Sequence, residues 1–215
     1  MRTLNQLWAP FDLRITAGPL ALSTVTDADL PALVDLVERG IHDPARMPFS
    51  FPWTDAPAAE LPGNFAAYHW RNRAEFSPAE WRLDLIVRCN GEPVGVQGIS
   101  TRNYLVVRSG ETGSWLGRDY QGHGIGTTMR QVLCAFVFDH LDAQQITSAA
   151  FTDNPASLAV SRKVGYRDNG ESREQRRPGE LATMRRLVLA PGDLVRGEHP
   201  VEVSGVEPLR TLIGL

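Results

Sequence analysis

Apolar residues recur along this chain with two different periods. They are three or four residues apart at 30–37 and again at 125–137, which predicts two amphipathic helices. At 83–88 they alternate with other residues, and the following Asn90-Gly91 is typical of a two-residue hairpin turn. Further strands are predicted at 13–15, 20–25, 93–100, 111–117, 145–151 and 181–189, and further helices at 64–74 and 154–165. This mixture of elements predicts an α/β fold.

The segment 42–62 follows neither period. It contains five prolines, at positions 44, 48, 52, 57 and 62, and these exclude a regular helix or a central strand. Loops of this length usually have a functional role. Cations and bulky apolar residues stand between the prolines, so we expect the segment to form a wall of the acyl or acceptor site. The predicted wall residues are His42, Arg46, Met47, Phe49 and Trp53.

A glycine-rich loop lies between the predicted strand 111–117 and the helix 125–137. Its sequence is Gln121-Gly122-His123-Gly124-Ile125-Gly126, and its glycines leave the main-chain N–H groups uncovered. At the start of a helix these groups lack an intrahelical partner and carry the positive end of the helix dipole. The loop therefore predicts a site for a phosphate or pyrophosphate.

Two other phosphate-binding motifs fit this loop poorly. A dinucleotide-binding fingerprint would need a glycine where the chain has Thr127. A P-loop would need Gly-Lys-Ser/Thr, and no lysine occurs in the loop.

Composition narrows the class of protein further. The chain has 215 residues, 42% hydrophobic and 22% charged, as in soluble globular domains. A net charge of −3 argues against general electrostatic binding of nucleic acid, and no apolar run reaches the ~20 residues that a membrane span needs. Residues 1–12 lack the features of a signal peptide. Cys89 and Cys134 fit no metal-ligand spacing, so we expect buried thiols in a reducing cytoplasm and no metal site.

Three short motifs occur in an order that is typical of one superfamily. Gln121, Gly124 and Gly126 match the pattern Gln/Arg-x-x-Gly-x-Gly/Ala. The segment 111–116 reads Glu-Thr-Gly-Ser-Trp-Leu, and 154–157 reads Asn-Pro-Ala-Ser. Together these motifs resemble the GNAT superfamily of acyl-CoA-dependent N-acyltransferases. The branch that they resemble most is that of the Rim-type ribosomal-protein N-terminal acetyltransferases.

The resemblance covers roughly residues 12–190. It includes the pair Gly165-Tyr166 after the Asn-x-x-Ser motif, but Thr128 departs from it, since many members carry an acidic residue there. The resemblance implies a mixed, strongly bent sheet flanked by helices. It also implies a GNAT domain at 1–190, followed by a C-terminal extension at 191–215.

The resemblance implies an acyl-CoA co-substrate, with acetyl-CoA as the default donor. The pyrophosphate would lie on the glycine loop, and the pantetheine arm would lie between the splayed strands 111–117 and 145–151. The main-chain N–H near Leu116 would polarise the thioester carbonyl, and Ser157 would protonate the departing thiolate. The implied cofactor-binding residues are Trp115, Leu116, Gln121, Gly122, His123, Gly124, Ile125, Gly126, Thr127, Asn154 and Ser157.

The implied reaction moves an acetyl or other short acyl group from CoA to a primary amine by direct attack. Glu111 is the first candidate for the general base, and His69 and Asp84 are alternatives. The acceptor stays open among a protein N-terminus, a lysine, an aminoglycoside-like amine and a small metabolite.

Two alternative functions also stay open. Arg46 and His42 stand among apolar residues, which would suit the carboxylate and methylenes of a succinyl group, so succinyl-CoA is an alternative donor. A non-catalytic CoA-binding or interaction module with the same fold is the other alternative.

The C-terminal extension, 191–215, carries many apolar residues for a tail. Val201, Val203 and Val206 alternate with polar residues, and four more apolar residues follow at 209, 212, 213 and 215. A solvated tail would not normally carry so many. We expect it to pack on the core or on a second subunit, and we favour a homodimer.

Overall fold

The computed structural model describes residues 2–215. These residues contain one nine-stranded sheet. The strands are β1 (Arg14–Ala17), β2 (Leu20–Thr24), β3 (Arg82–Cys89), β4 (Glu92–Thr101), β5 (Ser109–Leu116), β6 (Gln145–Phe151), β7 (Arg167–Arg177), β8 (Glu180–Leu189) and β9 (Glu202–Ser204). Their order in the sheet is β7-β8-β6-β5-β4-β3-β2-β1-β9. Neighbouring strands are antiparallel except for β5 and β6, which are parallel. The predicted α/β fold with a mixed sheet is confirmed.

Helices cover both faces of this sheet. They are α1 (Leu4–Leu7), α2 (Leu30–Arg39), α3 (Leu61–Ala74), α4 (Tyr104–Val107), α5 (Ile125–Leu141), α6 (Pro155–Val164) and α7 (Val206–Ile213). Side chains alternate along each strand, so Leu85 of β3 packs in one core with α5, whereas Ile86 packs in a second core with α2 and α3. We call these two sides the α5 face and the α3 face.

The β5–β6 pair opens partway along its length. Its register runs from Ser109 opposite Gln145 to Thr112 opposite Ser148, and the pairing ends there. Both strands continue beyond that point, β5 to Leu116 and β6 to Phe151. The expected splay between these strands is therefore present, and we call Thr112–Ser148 its vertex.

Local signals explain several element boundaries. The side chain of Asn154 accepts a hydrogen bond from the N–H of Ser157 at the start of α6, and Gly165 ends that helix with a φ of 106°. Asn90 and Gly91 both have positive φ in the predicted hairpin turn. Helix α3 begins at Leu61, three residues before the predicted start.

Three elements of the C-terminal quarter, β7, β9 and α7, were not predicted. Strand β7 lies at the edge of the sheet and is mostly polar, so it gives no apolar alternation. In the extension, β9 pairs with β1, and α7 buries Leu209 and Ile213 completely in the core of the α5 face. The extension thus packs on the chain's own core, and the homodimer stays a prediction. No helix among residues 2–215 is long and apolar enough to cross a membrane.

Candidate active site

The glycine loop has the backbone shape that a phosphate cradle needs. Gly122 and Gly124 have φ values of 80° and 83°, in the left-handed region that favours glycine. A Cβ built on either residue would meet no atom within 4 Å, so this side of the loop is open. Gly126 differs, because its added Cβ would touch Leu116 and Val160 at 3.6 and 3.7 Å. Gly126 therefore lies on the packed side of the loop.

The main-chain N–H groups from Gly122 to Gly126 make no hydrogen bond within the described chain. The N–H of Thr127 donates to the carbonyl of Gly124 at 3.0 Å, so it is not among the free donors. His123 is exposed and holds no partner among residues 2–215. Free N–H groups at the start of a 17-residue helix suit an anion such as a pyrophosphate.

Gln121 fixes the shape of the loop from behind. Its amide nitrogen donates to the carbonyl of Ile41 at 2.7 Å and to that of Leu116 at 2.9 Å. The loop is thereby tied both to the end of β5 and to the segment after α2. This contact gives the glutamine of the motif a structural task, and its Oε1 is left without a partner in the described chain.

Main-chain donors of β5 point into the splay. The N–H of Gly117 donates to the carbonyl of Val94 on β4, and such bonds alternate along an antiparallel pair. Trp115 is therefore bonded to β4, whereas Ser114 and Leu116 point their N–H groups away from β4. Pairing with β6 has already ended at the vertex, so these two donors are open.

Helix α6 begins four residues after the end of β6, the second strand of the splay. Asn154 caps the helix with its Oδ1, 3.1 Å from the N–H of Ser157, and its amide nitrogen makes no bond within residues 2–215. The hydroxyl of Ser157 is half-buried and also lacks a partner in this range. The predicted helix cap is present, and both side chains keep a polar group available for a ligand.

An aromatic cluster, made by Phe49, Trp53, Phe65 and Trp115, covers the α3 face beside the splay. Neighbouring ring centroids are 5.3 to 6.2 Å apart. The side chain of Trp115 belongs to this cluster, because odd-numbered residues of β5 face α3, and its predicted role in cofactor binding stays a prediction. We call the four residues the aromatic wall.

The segment 42–62 is held in place by polar contacts. The Nε2 of His42 lies 2.7 Å from Thr54 Oγ1, and Met47 is buried beneath them rather than lining an open surface. Arg177, at the tip of the β7–β8 hairpin, donates to both carboxylate oxygens of Asp55 at 2.6 and 3.0 Å. These hydrogen bonds lower the pKa of Asp55.

Arg46 is exposed at the edge of this segment. Its charge contributes to the lowered pKa of Asp153, whose main cause is the side-chain hydrogen bond from Arg176. The Arg46 side chain makes no hydrogen bond or ion pair within residues 2–215.

The three candidate bases lie on the α3 face. Glu111 is exposed on β5, one residue before the vertex. His69 Nδ1 lies 3.9 Å from Asp84 Oδ2, which also accepts from Asn72 at 2.9 Å. Burial lowers the pKa of His69. Within residues 2–215 no group of three or more His, Cys, Asp or Glu side chains is placed to hold a metal ion.

Sequence reasoning missed a buried polar network on the α5 face. Arg130 of α5 is 4% exposed and donates to Gln97, Ser114 and Ser148. Its signal was present in the sequence, because Arg130 shares a helix face with 133, 134 and 137, which are all apolar. A charged residue on such a face would be buried and would therefore need hydrogen-bond partners in the core.

Comparison with known proteins identifies the family. The acetyltransferase (GNAT) domain family matches residues 20–167, which is more than half of the chain. The chain therefore belongs to this family. A relative, YdaF of Bacillus subtilis (strain 168), is 29% identical over 69 residues, and its name assigns it provisionally to the ribosomal N-acetyltransferases. The alignment spans only 38% of that relative and 32% of this chain.

Solved structures share the fold. RimJ of Mycobacterium smegmatis, solved with a CoA disulfide, is 18% identical, with a TM-score of 0.72 over 88% of this chain and 92% of that one. RimL, a ribosomal L7/L12 alpha-N-protein acetyltransferase solved with coenzyme A, is 19% identical, with a TM-score of 0.65 over 80% and 94%. A chimera of the spermidine N-acetyltransferase SpeG from Vibrio cholerae is 18% identical, with a TM-score of 0.64 over 80% and 95%.

Proposed function

We propose that the protein is an acyl-CoA-dependent N-acyltransferase that moves an acetyl group from acetyl-CoA to a primary amine. The observation that carries the proposal is the continuity of the glycine loop with the open edge of β5. Free N–H groups of the loop suit a pyrophosphate, and the unpaired main-chain groups of β5 suit the amides of a pantetheine arm. Membership of the acetyltransferase family supports the same reaction.

Each step of the proposed reaction is assigned to one group of the site. The amine nitrogen attacks the thioester carbonyl carbon, so that a C–N bond forms and the C–S bond breaks. The N–H of Leu116 donates to the carbonyl oxygen as negative charge develops on it. Ser157 gives its proton to the departing sulfur, and Glu111 takes a proton from the amine, with His69 and Asp84 as alternative bases.

Direct attack is favoured over a covalent enzyme intermediate. Cys134 is fully buried, and burial raises the pKa of its thiol to about 11, so it is not a nucleophile at neutral pH. Cys89 is a free thiol in β3, away from the splay. Neither thiol competes with the acceptor amine for the thioester.

The first acceptor candidate is the N-terminal amine of a protein. RimL is described as acting on ribosomal L7/L12, and YdaF is named among ribosomal N-acetyltransferases, which supports this class. A polyamine is the alternative, since SpeG is described as a spermidine N-acetyltransferase. We further propose a cytoplasmic location and a homodimer, as expected from the sequence.

Succinyl-CoA stays an alternative donor. A succinyl carboxylate would need a cation near the acyl site, and Arg46 is the residue that the sequence offers for it. Because Arg46 is exposed, a carboxylate bound to it would stay in contact with water and gain little, so we favour acetyl-CoA.

The test is an acyl-transfer assay followed by mass spectrometry. Acetyl-CoA and, separately, succinyl-CoA are incubated with peptides that have a free N-terminus, with the same peptides blocked at the N-terminus but carrying lysine, and with spermidine. We expect acetylation of the free N-terminus and release of one CoA per product. Thermal stabilisation by acetyl-CoA with no acylated product on any amine would instead favour a non-catalytic CoA-binding module.

The base is tested by a pH–rate profile. We expect Glu111→Gln to flatten the rise of turnover with pH, because a glutamine cannot take the amine's proton. His69→Gln, which removes one of the two alternative bases, is the matched variant. A profile that changes in His69→Gln and is unaltered in Glu111→Gln would move the role to the His69–Asp84 pair.

A further inference from the structure

Arg130 carries a positive charge into the core directly beneath the splay. It lies on α5 and is 4% exposed. Its Nε donates to Gln97 Oε1 at 3.3 Å, its Nη1 to Ser148 Oγ at 3.1 Å and its Nη2 to Ser114 Oγ at 2.8 Å. All three guanidinium nitrogens therefore have a partner, and each partner is a neutral side chain.

No carboxylate within residues 2–215 pairs with this guanidinium. Burying a cation without a counter-charge is costly, and neutral partners offset only part of that cost. Arginine stays protonated under all ordinary conditions. The fold therefore maintains an uncompensated positive charge at this position, and a stability role alone would be met more cheaply by an apolar residue.

The two serines mark the place where the strands separate. Ser148 belongs to the last paired residues of the β5–β6 ladder, opposite Thr112. Ser114 is the next residue of β5 on the same face, already beyond the vertex. Arg130 thus spans the gap at the point where main-chain pairing stops.

The two hydroxyls differ in what their protons do. Ser148 Oγ donates to the carbonyl of Thr112 at 3.4 Å, so its proton is used within the sheet. Ser114 Oγ accepts from Arg130, and its proton has no acceptor within the described chain. A hydroxyl that accepts from a cation becomes a stronger donor. The Ser114 hydroxyl belongs to the same stretch of β5 as the open N–H groups of Ser114 and Leu116.

We propose that the Ser114 hydroxyl is a side-chain donor to the thioester oxygen during acyl transfer, and that Arg130 is the positioning residue that orients and polarises it. This inference rests on the proposed function. As the amine attacks, negative charge develops on the thioester oxygen, and the Ser114 hydroxyl donates to it beside the main-chain N–H groups. When the C–S bond breaks, the oxygen returns to a carbonyl, and Ser114 keeps its proton throughout.

The chain offers a matched pair of variants. Ser114→Ala and Ser148→Ala each remove one acceptor from the same guanidinium, but only Ser114 has a free proton at the splay. We expect Ser114→Ala to lower kcat at least tenfold, towards the loss typical of one oxyanion donor, with CoA affinity by calorimetry changed less than about threefold. Ser148→Ala should change kcat by less than about threefold, and Ser114→Thr, which keeps the hydroxyl, should retain most of the activity.

A double-mutant cycle tests the link to Arg130. Arg130→Met should lower kcat strongly in the wild-type background and much less in the Ser114→Ala background, because its effect passes through that hydroxyl. If the separate effects of Arg130→Met and Ser114→Ala on kcat simply multiply in the double variant, the link is contradicted. Equal losses of kcat in Ser114→Ala and Ser148→Ala would also contradict it. If Arg130→Met does not fold, the two serine variants still decide the hydroxyl's role.

The wild-type assay distinguishes a failure of the proposed function from a failure of the proposed role of Ser114. A wild-type protein that acylates no amine contradicts the proposed function, and the role of Ser114 falls with it. An active wild type with an equally active Ser114→Ala variant contradicts only the role of Ser114.

Discussion

The two faces of the sheet at the splay present different kinds of chemical group. The α5 face offers the glycine N–H groups at the start of α5 and a buried guanidinium with neutral partners, and the open main-chain donors of β5 lie between the two faces, in the splay. The α3 face offers aromatic rings and carboxylates, contributed by a proline-rich loop, by α3 and by single residues of β5. Main-chain groups suit a ligand that is the same in every turnover, whereas side chains can be matched to a particular partner. This difference supports the CoA donor in the splay and at the start of α5, and the amine acceptor on the α3 face.

The largest effect is expected from the start of α6. Ser157→Ala should lower kcat about 100-fold or more, because it removes the proposed general acid, with little change in CoA affinity. Ser161→Ala is the matched control, since Ser161 lies on the same helix, fully buried and without a side-chain partner in the described chain. Equal turnover in the two variants would remove Ser157 from the chemistry.

The phosphate cradle is tested by Gly124→Val. Gly124 has a φ of 83°, and a branched Cβ would both strain the backbone and cover the open side of the loop. We expect CoA affinity to fall at least tenfold, or ~1.4 kcal/mol, by calorimetry.

Gly91→Val is the control for backbone strain in that experiment. Gly91 has a φ of 88° and equally open surroundings, but it lies in the β3–β4 hairpin. A folded Gly124→Val protein with unchanged CoA affinity would contradict the cradle.

Substitutions on the α3 face should instead change KM for the acceptor amine. Trp53→Ala removes the central ring of the aromatic wall, and the loss of its ring contacts should raise KM for the amine about fivefold. CoA affinity should stay the same. Trp70→Ala, at an exposed tryptophan of α3 outside the wall, should change neither quantity. A loss of CoA affinity in Trp53→Ala would break the assignment of ligands to faces.

The smallest effect concerns the donor. If a succinyl carboxylate were recognised, Arg46→Ala would weaken succinyl-CoA more than acetyl-CoA. We expect nearly equal changes of less than about threefold for both donors, since the Arg46 side chain is exposed and an ion pair with it would be screened by water. A selective loss of succinyl-CoA turnover would reverse the donor preference.

The sequence predicts the site where the chemistry depends on local backbone. Gly124 needs a positive φ and Asn154 caps a helix, and both requirements are visible in a few neighbouring residues. It predicts poorly what depends on distant partners. Gln121 binds the carbonyl of Ile41, 80 positions away, and the side chain of Trp115 joins a wall built by segment 42–62.

The distribution of polar residues explains why β7 and the buried Arg130 were not predicted from the sequence. The charges of β7 removed the alternation that marks a strand, because one edge of that strand is free. Arg130 was hidden for the opposite reason, since its helix is so apolar that a single charge did not alter the predicted pattern.

The most direct test of the account is amide hydrogen exchange at β5, resolved by NMR with and without CoA. The N–H groups of Ser114 and Leu116 point into the splay, and that of Trp115 is bonded to β4. We predict that CoA slows exchange at Ser114 and Leu116 and leaves Trp115 unchanged. Protection confined to the aromatic wall, or no protection at Ser114 and Leu116 at saturating CoA, would contradict the placement of the donor in the splay.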